Sequence, residues 1–205
     1  MTLRSALLGT ALAVAFGGAA QAAQVNGWYV SLEGGANWID EWNFSTFVTP
    51  AEATFDTGWA VLASVGYGWN NFRVEFEAGY RDNELDVLTT AGAPVTSASA
   101  DLWEATFMAN VLYDIHVTDD FSLSLGAGAG GDFANADISF GGPSFEDDNW
   151  SFAYQGIAGM NYAVGRQTSL FLNYRYLRVV DAEFDFRPST AVFFTNADDI
   201  VKHTA

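Results

Sequence analysis

Residues 71–81 read NFRVEFEAGYR and alternate without a break. Phe72, Val74, Phe76, Ala78 and Tyr80 occupy one parity, and Arg73, Glu75, Glu77, Gly79 and Arg81 occupy the other. Successive side chains of a strand point to opposite faces, so this segment is a strand with one apolar and one charged face. In a soluble barrel or sandwich the apolar parity fills the core. In a membrane barrel it meets lipid, and four charges are left to meet each other inside.

The pattern recurs six more times. Trp28, Val30, Leu32, Ala36 and Trp38 alternate with Tyr29, Ser31, Glu33 and Asn37. Similar alternation runs through Trp59–Tyr67 (broken on its polar side by Leu62), Trp103–Asp114, Phe121–Gly130, Phe152–Tyr162 and Leu170–Tyr176. Each run is about the length at which a tilted strand crosses a bilayer. The connections sort by length. Short ones lie at 69–71, 116–120 and 164–167, and long ones at 39–54, 82–98, 133–149 and 179–200. Short turns on one rim and long loops on the other mark a membrane barrel, and the many acids in the long links read as solvated loops.

Aromatic residues gather at the strand ends of the apolar parity. Trp28, Tyr67, Phe72, Tyr113, Phe121 and Tyr162 fall on the short-turn side. Trp38, Trp59, Tyr80, Trp103, Phe152 and Tyr176 fall on the long-link side. Two such belts are what amphipathic rings form at two membrane interfaces. The apolar face therefore looks outward, and the expected fold is all-β: an eight-stranded antiparallel up-and-down transmembrane barrel, its last strand begun by DIVKHTA (199–205). Eight strands enclose only enough room for their own side chains. Arg73, Glu75, Glu77, Glu104, Arg175 and Glu33 are expected to form an interior network of Arg–carboxylate pairs that plugs the barrel, with Arg81 and Asp114 either joining it or solvated at the rims.

The N-terminus has its own signature. Met1–Arg4 carries one positive charge, residues 6–20 are apolar, and Ala20-Gln21-Ala22 offers small residues to a signal peptidase. Residues 1–22 are read as a signal peptide and 23–205 as the barrel domain. Export without a single cysteine suits a bacterial envelope protein. The net charge of −17 is the wrong sign for phosphate neutralisation, so nucleic acid is excluded as a partner.

The segments GWYVSLEGGANW, FDTGWAVLASVGYGW, FRVEFEAGYR, FSLSLGAGAG, FAYQGIAGMNYA and LFLNYRYL, taken in order, resemble the N-terminal barrel of the OmpA-like outer-membrane family across residues 27–205. The resemblance implies an outer-membrane location, with short turns periplasmic and long loops extracellular. It also implies a non-enzymatic role in anchoring or maintaining the cell envelope. The partners implied are outer-membrane lipid and lipopolysaccharide, the barrel-assembly machinery, and peptidoglycan through a domain outside these residues. Family barrels end in a full aromatic-terminated strand, whereas this chain stops at Lys202-His203-Thr204-Ala205, from which truncation of the eighth strand is expected.

Other chemistries find little support in the residues. Catalysis would need a nucleophile within reach of a base, and the only histidines, His116 and His203, suggest no triad. FEDDN (145–149) and NADD (196–199) lack EF-hand spacing, so no metal is expected, and no cofactor either. GAGAGG (126–131) lies inside a strand, where its glycines make room for longer neighbours and form no phosphate loop. The alternative function is a small-solute porin-like channel, with a soluble ligand-binding barrel behind it. Phe47, Phe193 and Phe194 are candidate loop contacts for external partners.

Overall fold

The structure, a computed structural model, describes residues 11–14, 25–40, 42–46, 50–90, 93–95, 99–139, 144–165, 168–180, 194–197 and 200–205. Its elements are β1 (Ala11–Val14), β2 (Gly27–Ile39), β3 (Trp42–Thr46), β4 (Pro50–Phe55), β5 (Gly58–Trp69), β6 (Phe72–Thr90) and β7 (Ala93–Pro94). They continue as β8 (Ser99–His116), β9 (Phe121–Ser139), β10 (Ser144–Ala163), β11 (Thr168–Val180), β12 (Phe194–Ala197) and β13 (Ile200–Thr204). Strands β2, β5, β6, β8, β9, β10 and β11 pair in that order, each antiparallel to the next. β13 closes the ring, pairing with β11 from Val179↔Ile200 to Arg175↔Thr204 and with β2 from Ile39↔Lys202 to Asn37↔Thr204.

The eighth position of this ring is shared by two short strands. β13 fills its long-link half and ends where Ala36 and Ala205 exchange backbone hydrogen bonds of 2.8 and 3.0 Å. Nearer the short turns, β1 lies between β2 and β11 through Leu12↔Leu32 and Leu12↔Leu170. The residues of β1 fall within the segment read above as a leader. No helix among the described residues is long and apolar enough to cross a membrane, a criterion that does not bear on strands.

The long links differ from the expectation of solvated loops. β6, β9 and β10 run for 19, 19 and 20 residues, well past the roughly 9–11 that a tilted strand needs to cross a bilayer. The β9–β10 ladder continues out to Ser139↔Ser144, and β3, β4 and β12 add a further sheet against the outer part of β6. Polar and acidic side chains do not stop an antiparallel ladder, because the main chain supplies its bonds whatever the side chains face. Phe47 and Phe193 lie outside the described residues.

One turn constrains its residue type. β5 and β6 are joined through Asn70 and Asn71, and Asn70 has φ 53°, in the left-handed region that asparagine tolerates and β-branched residues do not. Its N–H also donates to Asn26 Oδ1 at 2.9 Å. Asn70→Val is expected to destabilise the barrel by roughly 1–2 kcal/mol, whereas Asn70→Gly stays close to wild type. Urea midpoints of the two variants in detergent check this, and equal midpoints would show that the turn is not strained.

Candidate functional site

The wall has two opposed faces. Along β6, Phe72, Val74, Phe76 and Tyr80 are exposed, while Glu75, Glu77, Arg81 and Asn83 are buried in the lumen. Phe76 keeps 55% of its surface exposed and the adjacent Glu77 none, so the apolar parity covers the outside of the ring and the charged parity its centre.

Beginning at the short-turn end, the lumen is filled in layers. Arg73 makes a forked pair with Asp114, Nε to Oδ2 at 2.8 Å and Nη2 to Oδ1 at 3.0 Å, and reaches Glu75 at 2.9 Å. Ser124 Oγ donates to Asp114 at 2.7 Å, and the Tyr29 hydroxyl donates to Glu75. Above them Arg175 grips Glu33 with two bonds of 2.6 Å and reaches Glu77 at 3.0 and 3.1 Å. Gln155 bridges Glu77 to Asn110 at 3.1 and 2.9 Å, and Asn173 donates to Glu33 at 3.1 Å. Two forked guanidinium–carboxylate pairs give this network fixed geometry as well as charge balance.

Higher still, Arg81 donates to Thr106 at 2.7 Å and to Thr204 of the closing strand at 3.3 Å. Lys202, also from β13, pairs with Glu104 and lies 3.1 Å from Asp132. The structure thus places all six interior residues named from the sequence in ion pairs. It buries Arg81 and Asp114 fully inside as well, where solvation at the rims was the other possibility. Tyr29, Asp132, Gln155 and Lys202 were not singled out, because their partners sit on strands whose neighbours only the closed ring defines.

A larger departure is that the lumen is not polar throughout. Toward the long-link mouth Ile39, Ala53, Phe55, Leu102, Ala134, Leu177, Val179 and Ile200 form an apolar cluster, with Leu85 packed against it. Ile39, Leu102 and Leu177 are next in sequence to Trp38, Trp103 and Tyr176 of the outer aromatic belt, so the cluster fills the lumen at the level of that belt and packs as a soluble core does. The inward glycines of β9 leave space for their neighbours. A Cβ on Gly128 would collide with the Asn110 side chain, and one on Gly126 would meet Leu112 at 2.8 Å.

On the outside, Trp28, Tyr67, Phe72, Tyr113, Tyr162, Trp59 and Tyr80 are exposed, and Phe121, Trp38 and Trp103 are half-buried. Trp28 meets Tyr67 at 5.4 Å and Phe72 meets Tyr113 at 5.1 Å on one rim. Trp59, Tyr80 and Trp103 stack in sequence on the other at 5.4 and 6.0 Å. The second belt continues through Phe133, read from the sequence as part of a long link, and through Trp150. His203 joins it between Trp38 and Tyr174, its Nδ1 2.5 Å from the Tyr174 hydroxyl and its Nε2 3.3 Å from Asp40. His116 is exposed, 3.2 Å from Asn71. Neither histidine has a serine among these contacts. Among the described residues no three histidine or carboxylate side chains converge on a point that could hold a metal.

The model of the outer membrane protein beta-barrel domain matches residues 8–202. The chain belongs to the outer-membrane β-barrel family. An "Outer membrane protein" of Gluconacetobacter diazotrophicus is 32% identical over 219 residues, which cover 96% of this chain and 57% of that relative, so this chain spans a little over half the relative's length. Neisserial surface protein A aligns over 88% of this chain and 96% of its own, at 19% identity and a TM-score of 0.47. Ail, the attachment invasion locus protein of Yersinia pestis, aligns over 87% and 97%, at 12% identity and a TM-score of 0.41. Membership places this barrel in the outer membrane, with its apolar wall against lipid; the OmpA-like subgroup is not singled out by the match.

Proposed function

We propose that this outer-membrane barrel is a non-conducting, non-enzymatic envelope protein whose wall anchors it in lipid and whose acidic outer rim engages the surroundings. The filled lumen carries this reading. Among the described residues, three tiers of charged and hydrogen-bonded side chains lie beneath an apolar cap, and a cavity bordering the short-turn tiers is about 40 Å³. Even a small sugar is many times larger than the space for a few waters. Asp40, Asp56, Glu84 and Asp86 are exposed at the outer rim and would meet lipopolysaccharide phosphates through bridging cations. Insertion through the barrel-assembly machinery and wall tethering through a further domain belong to the same proposal.

Liposome swelling with small sugars tests it. Vesicles carrying the native protein are expected to swell no faster than empty vesicles. Size-dependent swelling, or stable ohmic conductance in planar bilayers, would replace this reading with the porin-like one.

A further inference from the structure

Arg81 of β6 and Glu104 of β8 stand directly opposite each other in their antiparallel ladder, and both side chains are buried on the inward face. Opposite residues on one face have their Cβ atoms about 4.5–5.5 Å apart, close enough for an arginine and a glutamate to pair. In the closed ring these two do not. Glu104 is bonded to Lys202, and Arg81 donates instead to the Thr106 and Thr204 hydroxyls at 2.7 and 3.3 Å. A buried guanidinium that forgoes the nearest carboxylate for two neutral hydroxyls has yielded it to another cation.

That cation arrives on the strand that closes the ring. Lys202 reaches Glu104 across 98 residues of chain, and Thr204 meets Arg81 across 123. Asp132 of β9, opposite Thr106, holds the lysine from a second side at 3.1 Å. The β6–β8 ladder, from Phe72↔Tyr113 to Glu84↔Asp101, needs no residue of β13. Pairings close in sequence form before distant ones, because less loop entropy is lost in making them. While β13 is unseated, Arg81 and Glu104 therefore have each other within reach and neither Lys202 nor Thr204. A charge shielded from water without a partner is costly, so the local pair is the one an open ring favours.

We propose that Glu104 changes partner as the barrel closes, from Arg81 in the open ring to Lys202 in the closed one. The handover keeps the two facing charges of the β6–β8 ladder paired until β13 arrives. It also reads the closing strand. Lys202 takes the acid, and Thr204, two residues on and on the same face, receives the released arginine. A slip of β13 by two residues keeps its inward face but carries both groups away from their targets.

The test unfolds and refolds the full chain between urea and lipid vesicles. Lys202→Met with Asp132→Asn removes the displacing cation and its second acid, and leaves Arg81 and Glu104 of these four charges. In that background Arg81→Met, Glu104→Gln and their combination measure how far the two residues depend on each other. Their coupling is expected to be about tenfold larger in the folded-to-unfolded ratio than the same cycle gives in wild type. Equal coupling in both backgrounds, or a background that does not fold, would overturn the proposal, since Arg81 then does not take the acid over. Kinetics give a second reading from single variants. Contacts made after the rate-limiting step change unfolding and leave folding alone. Lys202→Met is therefore expected to unfold about tenfold faster while refolding within about twofold of wild type, and Arg81→Met to refold more slowly. A Lys202→Met variant slowed in refolding as strongly as it is speeded in unfolding would mean that the lysine holds Glu104 before the seam closes, which also overturns the handover.

Discussion

Arg175→Met is expected to cost the folded barrel about 3–5 kcal/mol, the range for deleting one partner of a buried ion pair. The arginine is 2% exposed and makes four bonds, two to Glu33 and two to Glu77. Methionine fills much of its volume, so the loss would come from two stranded carboxylates and not from a hole. The distinguishing experiment is the combined variant Arg175→Met, Glu33→Gln, Glu77→Gln. Neutralising both acids should recover most of the loss, because a network replaced as a whole leaves no buried charge behind. A fall in the urea midpoint that the triple variant does not restore would mean that packing, and not charge, holds this layer.

Phe76→Arg probes the opposite face. Phe76 is outward and central in the membrane-crossing part of β6, opposite Val65 on β5 and Ala109 on β8. An arginine on the lipid face at the bilayer midplane is expected to destabilise by about 2–4 kcal/mol. Phe76→Leu, which keeps an apolar surface, should change stability by less than about 1.5 kcal/mol. Unfolding from lipid vesicles, not from detergent, is the measurement, since a micelle deforms around a charge more readily than a bilayer. Equal midpoints for the two variants would show that this wall does not face the hydrocarbon.

Much of this design can be read from NFRVEFEAGYR alone. Its strict parity gives a strand, and its four charges on one face place it around a polar centre. Arg175, Glu33 and Glu77 were readable as members of one interior network, but not which acids the arginine takes, since they lie 142 and 98 residues from it and meet it only across the closed ring. Lys202 was not read as a member at all, because its strand was legible only as a beginning; its acids lie 98 and 70 residues away. The apolar cap was missed for a different reason. Leu102 and Leu177 fall just outside the alternating runs read from the sequence, and only the extra length of the strands gives them inward positions beside the outer aromatic belt. The outer sheet was hidden by its acids, which signal solvent contact equally well on a loop or on a ladder.

The two-faced wall also acts as a check on its own assembly. A strand that paired one residue out of step would turn Arg73, Glu75, Glu77 and Arg81 to the lipid and Phe72, Val74, Phe76 and Tyr80 to the lumen. Each charge so misplaced would cost up to a few kcal/mol near the midplane and less toward the interfaces, so the error of a single strand would offset a large part of the 5–15 kcal/mol or so that typically holds a whole domain together. Slips of two residues keep the faces correct but move Arg175 off Glu33, a milder fault that can still be undone. The same arithmetic that locks the finished barrel therefore penalises a one-residue slip while the strands are still being added.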